Sequence, residues 1–270
     1  MSPSMSKVAL ARSCGVSRST LYYTSKQEQK DWHTRQLIEG VLREHQSYGH
    51  KRIALELTIN KKRALRVMKK YGIKPYRRMA AKPHKKVRKP DFVFPNLLLT
   101  EFPQYPGHIY ASDFTHVKFQ GKWLYVATVL DLFTREIVGF AVSLRHDRTL
   151  VMQAFLAALQ HHSRPATIHS DRGSEYTSAD YVALVHAVGT QLSMSAPGCP
   201  WENGYQESFY NQFKVDLGDP NRFDTLSELV YAVYQTIHVY NNSRIHTALK
   251  QAPRAFARQY ATLESSERVS

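Results

Sequence analysis

The sequence predicts an α/β fold, a mixed five-stranded sheet flanked by helices, preceded by a small all-helical region. Residues 1–95 show helical periodicity and many basic side chains, whereas strands rich in valine, isoleucine and aromatic residues alternate with helices from about residue 107. The chain has 270 residues, of which 43% are apolar. This is enough for one large domain with a smaller one attached.

The first segment, SKVALARSCGVSRSTLYYTS, has the pattern of a helix-turn-helix unit. Ala11 is small enough for two helices to approach, Gly15 suits the backbone of the turn, and Leu21 is a core aliphatic residue. Ser17 would cap a second helix that presents Arg18 to DNA. The alternative is an ordinary helical hairpin without a nucleic-acid partner.

A second helical block follows over residues 31–71. Gly49 breaks its first helix, Asn60 caps the next one, and Gly72 ends it. The aliphatic side chains of that last helix are predicted to be core residues: Leu65, Val67 and Met68. The basic side chains on its other faces would follow DNA phosphates: Lys61, Lys62, Arg63, Arg66, Lys69 and Lys70.

The positive charge is confined to the first third of the chain. Residues 1–95 carry 23 Lys and Arg against 6 Asp and Glu, whereas residues 96–270 carry 14 against 16. A proline-punctuated basic linker, residues 74–95, adds Arg77 and Arg78 to the predicted DNA contacts. The distribution indicates polyanion binding, and nucleic acid is favoured over a disordered basic tail with no specific partner.

The remaining elements follow in an informative order. HIYASDFTHVKF, WLYVATVLDLF and EIVGFAVSL read as three strands of an antiparallel meander. The helix TLVMQAFLAALQHH, the strand ATIHSD, the helix SADYVALVHAVG and the strand TQLSMS come next, and two helices follow over about 202–217 and 226–241. This order matches the ribonuclease H topology.

Three acids lie at positions where an acidic side chain is either costly to bury or suited to a functional role. Asp113 lies within the first strand, Asp171 ends a short apolar strand, and Glu207 lies on the first of the two C-terminal helices. Three hard oxygen ligands from three elements suit magnesium, which keeps water ligands that phosphate oxygens can replace. Taken singly, each acid also has an ordinary structural interpretation.

Five sequence words around these acids resemble the insertion-sequence transposases of the IS-three family: DFTHV, WLYVATVLDLFTREIVGFAV, HSDRGSEYTS, SMSAPGCPWENGYQESFYNQFK and YNNSRIHTAL. The resemblance covers roughly residues 30–258, and YGHKRI followed by RVMKKYGI is similar to the family's helical segment before the catalytic core. It implies a retroviral-integrase-like core with an Asp-Asp-Glu triad. Asp171 and Glu207 are separated by 35 intervening residues, as in the family, and Lys214 stands where the family has Lys or Arg.

The resemblance also implies an activity and partners. The expected enzyme is a DNA transposase, a polynucleotidyl transferase that cleaves double-stranded DNA at the terminal inverted repeats and joins the 3′-hydroxyl to target DNA. We expect two Mg²⁺ ions per site, with Mn²⁺ able to substitute. A homo-multimer on paired ends is expected, as is a fusion to, or partnership with, an upstream-frame helix-turn-helix protein. The alternatives are a silent or domesticated DNA-binding regulator and a ribonuclease H-like nuclease that does not join ends.

Other residues are candidates for the surroundings of the site. Helical periodicity places Asn203, Glu207, Asn211 and Lys214 on one face, with Glu207 toward the metal and Lys214 toward the DNA backbone. His169 shares a strand face with Asp171 and is a candidate hydrogen-bond partner near the metal. In YNNSRIHTAL, Arg244 and His246 either contact DNA or lock the last helix to the core.

The sequence excludes several classes. It has no run of about 18 apolar residues and no secretion leader, so we expect no membrane association and a bacterial cytoplasmic, nucleoid-associated protein. Two cysteines and the histidine spacing support neither a disulfide framework nor zinc, and no glycine-rich nucleotide loop is present. The expected division is a helix-turn-helix over 1–30, a helical DNA-binding region over 31–73, a linker over 74–95, the catalytic core over 96–258 and a tail over 259–270.

Overall fold

The computed structural model describes residues 6–22, 26–76, 94–196 and 199–267. Its first helix, α1 (Lys7–Ser13), is capped by the Ser6 hydroxyl and ends before Gly15, whose φ of 64° makes the predicted turn. The second helix predicted after Ser17 is instead a five-residue 3₁₀ helix, Arg18–Tyr22. Its Ser and Thr hydroxyls bond to one another locally, which favours a turn over a continued α-helix.

Three helices form the helical region that precedes the sheet: α2 (Gln27–Glu44), α3 (His50–Glu56) and α4 (Lys61–Lys70). They enclose a small core of their own, centred on Ile38, Ile53 and Val67. Asn60 caps α4 through its side chain, as predicted. The prediction that Leu65 is a core residue is wrong, because the buried stripe of α4 runs through Ala64, Val67 and Met68, and Leu65 is 36% exposed on the next face.

The sheet has the five predicted strands, and the first three run antiparallel as predicted. Strands β1 (Ile109–Phe119), β2 (Lys122–Asp131) and β3 (Ile137–Ser143) form the antiparallel meander, with a tight turn through Gln120 and Gly121. Strands β4 (Thr167–Ser170) and β5 (Gln191–Met194) run parallel to β1, giving the order β3-β2-β1-β4-β5. The expected mixed five-stranded sheet is confirmed.

Helices cover both faces of the sheet. α5 (Arg148–His161) and α6 (Ala179–Val188) pack on one face, while α7 (Gly204–Leu217) and α8 (Leu226–Asn242) pack on the other. α5 lies so close to β3 that a Cβ on Gly139 would collide with the Ala154 carbonyl oxygen. A last helix, α9 (Pro253–Glu267), contacts α8 and crosses the boundary predicted at residue 258.

The helical region is joined to the sheet domain through side chains of α7 and of the segment after α8. The Ser47 hydroxyl donates a hydrogen bond to the Asp216 carboxylate (3.1 Å), and the Tyr48 hydroxyl accepts one from the Ile245 amide (2.7 Å). Tyr48 is fully buried at this junction. In the described parts of the chain, no helix is both long and apolar enough to cross a membrane.

Candidate active site

Asp113 lies in the middle of β1, which is the central strand of the sheet. Its side chain is half-buried and accepts a hydrogen bond from the Phe114 amide (2.8 Å). Burial and, after it, the neighbouring negative charge of Asp171 raise the pKa of Asp113 to about 8, whereas the Phe114 hydrogen bond and the charge of Lys214 oppose the shift. The charge of Glu207 raises this pKa more weakly. The pKa of Asp113 therefore responds to both other acids of the predicted triad.

Asp171 follows β4, which is the parallel neighbour of β1. The last residue pair of the two strands is Ala111 with His169, and Asp113 and Asp171 each stand two residues beyond that pair. The Asp171 carboxylate accepts a hydrogen bond from the Gly173 amide (2.9 Å). Burial raises the pKa of Asp171, and the Gly173 hydrogen bond works against that shift.

Glu207 and Lys214 lie on α7, which crosses the sheet beside β1. Glu207 is exposed in the first turn of the helix, and Lys214 is half-buried two turns later. Asn211 is exposed between them, as the predicted face requires. Asn203 differs, because it immediately precedes α7, is 8% exposed, and its side-chain oxygen has no hydrogen-bond partner among the described residues.

Two residues that fix α7 against the sheet were not among the predicted site residues. The Gln206 amide donates hydrogen bonds to the carbonyl oxygens of Ala111 (2.6 Å) and Thr128 (3.3 Å). The Tyr210 hydroxyl donates to the carbonyl oxygen of Asp113 itself (2.6 Å). Both side chains are buried, and they lie on either side of Glu207 along the helix. The sequence signal that could have identified them is a polar side chain at positions of α7 whose helical spacing predicts burial.

A second acid lies beside Asp171. The Glu175 carboxylate pairs with His146 (Nε2–Oε1 3.1 Å), is 7% exposed, and its charge raises the pKa of Asp171. A Cβ on Gly173 would stand 2.8 Å from Glu175 Oε2 and 3.0 Å from Asp171 Oδ1, so glycine permits this close packing. Glu175 was also absent from the predicted site, because no local pattern relates it to a histidine 29 residues earlier.

His169 is fully buried between β4 and β5. Its Nδ1 forms a hydrogen bond with the Ser193 hydroxyl (2.8 Å), and burial lowers its pKa to about 4, so the ring is neutral at neutral pH. This hydrogen bond joins two strands and does not reach Asp171. Asp131, the last residue of β2, caps the turn that follows by accepting hydrogen bonds from the Phe133 and Thr134 amides.

The predicted DNA-contact residues of α4 divide into two groups. Lys61, Lys62 and Lys69 are exposed, and Arg18 is exposed near the N-terminus. The others are tied to α2: Arg63 donates to the Thr34 hydroxyl (2.6 Å), and Arg66 and Lys70 pair with the buried carboxylate of Asp31 at 2.6 and 3.1 Å. Arg77 and Arg78 lie outside the described residues.

Arg244 and His246 follow α8 at the junction with the helical region. Arg244 is 2% exposed, pairs with Asp216 (2.9 Å) and donates to the Ser47 hydroxyl (3.3 Å). His246 is half-buried, and burial together with neighbouring arginines lowers its pKa to about 4. These placements favour the structural alternative, in which the segment locks the last helices to the rest of the chain.

The donor chemistry of Asp113, Asp171 and Glu207 fits a divalent cation that prefers oxygen ligands. Burial and the charge of Asp171 raise the pKa of Asp113, and a bound cation would oppose that shift. Within the described ranges, no three Asp, Glu, His or Cys side chains stand close enough together to form a finished metal-binding group.

Comparisons with known proteins agree on one family description. Two models described as the integrase core domain match residues 103–200 and 188–253. The transposase for insertion sequence element IS904 of Lactococcus lactis is 33% identical over 230 residues, which cover 81% of this chain and 91% of that protein. The insertion element IS600 uncharacterized 31 kDa protein of Shigella sonnei is 32% identical over 264 residues, covering 91% and 96%.

A solved structure is also similar. The HTLV-2 integrase catalytic core domain, in complex with magnesium in a trimeric form, aligns with 57% of this chain and 97% of its own chain. The sequence identity is 18% and the TM-score is 0.47.

Proposed function

This chain belongs to the IS-three family of insertion-sequence transposases, and from that premise we propose that Asp113, Asp171 and Glu207 are the acids with which it cuts and joins DNA. Its function is that of a transposase with an integrase core. The observation that carries the proposal is the arrangement of the two aspartates: Asp113 on β1 and Asp171 after the parallel strand β4 stand equally far beyond the last residue pair of the two strands. Glu207 lies on α7, which the side chains of Gln206 and Tyr210 bind to β1 beside Asp113.

We propose that Asp113, Asp171 and Glu207 hold two Mg²⁺ ions, for which Mn²⁺ can substitute. Bound there, such ions would lower the pKa of the attacking water or 3′-hydroxyl and neutralise charge on the phosphoryl group. The chain itself supplies the frame. Asp113 and Asp171 are fixed by neighbouring parallel strands, and Gln206 and Tyr210 anchor the helix that presents Glu207.

We propose that the basic helical region holds the DNA while the sheet domain performs the chemistry. The exposed lysines of α4 support contact with phosphates, and the electrostatic effect of Lys214 on Asp113 supports a contact of Lys214 with the DNA backbone near that residue. In this scheme residues 1–30 and 31–73 bind DNA, 74–95 link, 96–258 catalyse and 259–270 form the end of α9 and the tail. The internal pairing of Arg66 and Lys70 with Asp31 leaves α4 fewer free charges than its sequence suggests.

The proposed substrates are the terminal inverted repeats of the element and a target duplex. The proposed reaction is cleavage at the element ends followed by transfer of the 3′-hydroxyl, carried out by a homo-multimer on paired ends. An upstream-frame helix-turn-helix protein, separate or fused, is the proposed additional partner, and the bacterial nucleoid is the proposed place of action.

Strand transfer with pre-cut element ends tests the triad. We expect joining with Mg²⁺, none with EDTA, and at least about 100-fold loss in Asp171→Asn and Glu207→Gln. Asp180→Asn is the matched control, because Asp180 is an exposed acid on α6 that pairs with Arg148. Equal joining by Asp171→Asn and the parent chain would disprove the assignment.

The same assay separates the two alternatives. A silent or domesticated regulator would bind the ends without cutting or joining them in either metal. A nuclease would cut the duplex in Mg²⁺ and leave the pre-cut ends unjoined.

A further inference from the structure

A small cavity lies where the helical region meets the sheet domain, and we propose that it binds a phosphate group. The cavity has a volume of about 80 Å³, which exceeds the space that one water molecule requires. Its polar lining is dominated by arginines, with Arg52 from α3, Arg135 from the turn between β2 and β3, and Arg244 from the segment after α8, which also supplies the neutral ring of His246. No acidic side chain is among its lining residues in the described structure.

The cavity is separate from the proposed catalytic site. Tyr205, Ser208 and Gln212 line it from α7, and helical spacing places them on the side of α7 opposite to Glu207 and Lys214. A ligand in this cavity would therefore not contact the Asp-Asp-Glu triad. The proposal is independent of the chemistry assigned above, and it adds a site to it.

Three guanidinium groups converge on this cavity. The Cζ atoms of Arg52 and Arg244 lie 5.7 and 5.3 Å from the ring centre of the same buried tyrosine, Tyr48. The Cζ atom of Arg135 lies 4.0 Å from the ring centre of Tyr205, and its residue adopts a φ of +63°, which non-glycine residues rarely do. Aromatic rings thus hold the cations in place without neutralising them.

The positive charge of Arg52, Arg135 and Arg244 is not balanced by nearby carboxylates. Asp216 pairs with Arg244 (2.9 Å), which is the only ion pair that these three arginines form within the described residues. Arg52 Nε, Arg135 Nη1 and His246 Nδ1 are buried and have no hydrogen-bond partner there. A buried donor without an acceptor and a cation without a counter-ion are both costly, so the cluster is built for an anion that supplies both.

Phosphate matches these donors better than other common anions. Guanidinium groups recognise phosphate oxygens through paired N–H bonds, and a tetrahedral anion can accept from arginines that approach from three different elements. The phosphate could be free in solution or belong to a DNA backbone that enters the junction, and the experiment distinguishes these sources.

The test is thermal unfolding of the full chain during a titration with sodium phosphate, against sodium chloride at matched ionic strength. We expect a saturable rise in Tm with phosphate only. In Arg135→Gln and Arg52→Gln, the phosphate concentration at half-saturation should rise about tenfold or more, because each variant removes charge-assisted hydrogen bonds. Arg145→Gln, which removes an exposed arginine outside the cavity, should behave like the parent chain.

A second titration, on protein saturated with a short DNA duplex, identifies the source of the phosphate. Loss of the phosphate response on DNA would assign the site to a backbone phosphate, and a response that persists would assign it to free phosphate. The proposal fails if phosphate and chloride act alike, or if Arg145→Gln weakens the response as much as Arg135→Gln does. Should Arg135→Gln unfold, Arg52→Gln provides the same comparison.

Discussion

The hydroxyl of Tyr210 is the hydrogen-bonding group that ties α7 most directly to Asp113. It donates to the Asp113 carbonyl oxygen at 2.6 Å and lies 2.8 Å from the Thr128 hydroxyl, inside a buried layer between helix and sheet. Tyr210→Phe removes this one oxygen and keeps the ring. The Asp113 carbonyl would lose a partner that water cannot replace there.

The expected loss of stability follows from that geometry. Leaving a buried acceptor without its partner costs about 1–3 kcal/mol. For a chain of this size, such a loss lowers Tm by roughly 2–12 °C. Strand transfer should fall as well, measured well below both melting temperatures, because the backbone of the proposed metal ligand is no longer held by the helix that carries Glu207.

The matched control is Tyr181→Phe. Tyr181 is also fully buried, but its hydroxyl has no hydrogen-bond partner among the described residues. Removing an unpaired buried hydroxyl should change stability by between nothing and a gain of about 1 kcal/mol. Differential scanning calorimetry of both variants and the parent chain decides the matter. The reasoning is refuted if Tyr181→Phe destabilises the protein as much as Tyr210→Phe does.

Three further predictions concern packing, acid stability and DNA binding. Gly139→Ala should destabilise the protein by about 1–3 kcal/mol, because the added Cβ would meet the backbone of α5. Gly40→Ala, in the open middle of α2, should instead stabilise the protein by up to about 1 kcal/mol. Thermal unfolding compares the two variants. The side chains of Arg66 and Lys70 hold the pKa of Asp31 well below its ordinary value, so this carboxylate stabilises the fold fully above about pH 4 and its contribution is lost as the pH falls further. Unfolding below about pH 4 should therefore depend less on pH in Asp31→Asn than in the parent chain, and an unchanged profile would count against this prediction. Replacing both Lys61 and Lys62 with Gln should make the slope of log DNA affinity against log salt concentration shallower by roughly 1.8, as measured by fluorescence anisotropy. An unaltered slope would mean that the DNA binds elsewhere.

Much of the fold could be predicted from the sequence because the signals that specify it are local. Strand and helix periodicity, the turn at Gln120–Gly121 and the cap at Asn60 each depend on residues within a few positions, and the structure has all of them. Local signals failed where a side chain has two available faces or two local partners. Leu65 lies one position away from the buried stripe of α4, and the hydroxyls after Ser17 stabilise a turn in place of a helix.

The sequence by itself determined the order of strands and helices along the chain, the concentration of positive charge before residue 96 and the three acids, because period, composition and sequence words are properties of the chain. Only the tertiary structure decided which charges remain available. Asp31 takes up Arg66 and Lys70 from residues 35 and 39 positions away, while Arg52, Arg135 and Arg244 come together from three separate elements with a single carboxylate. Electrostatic interactions depend on distance and burial in space, and a linear sequence specifies neither.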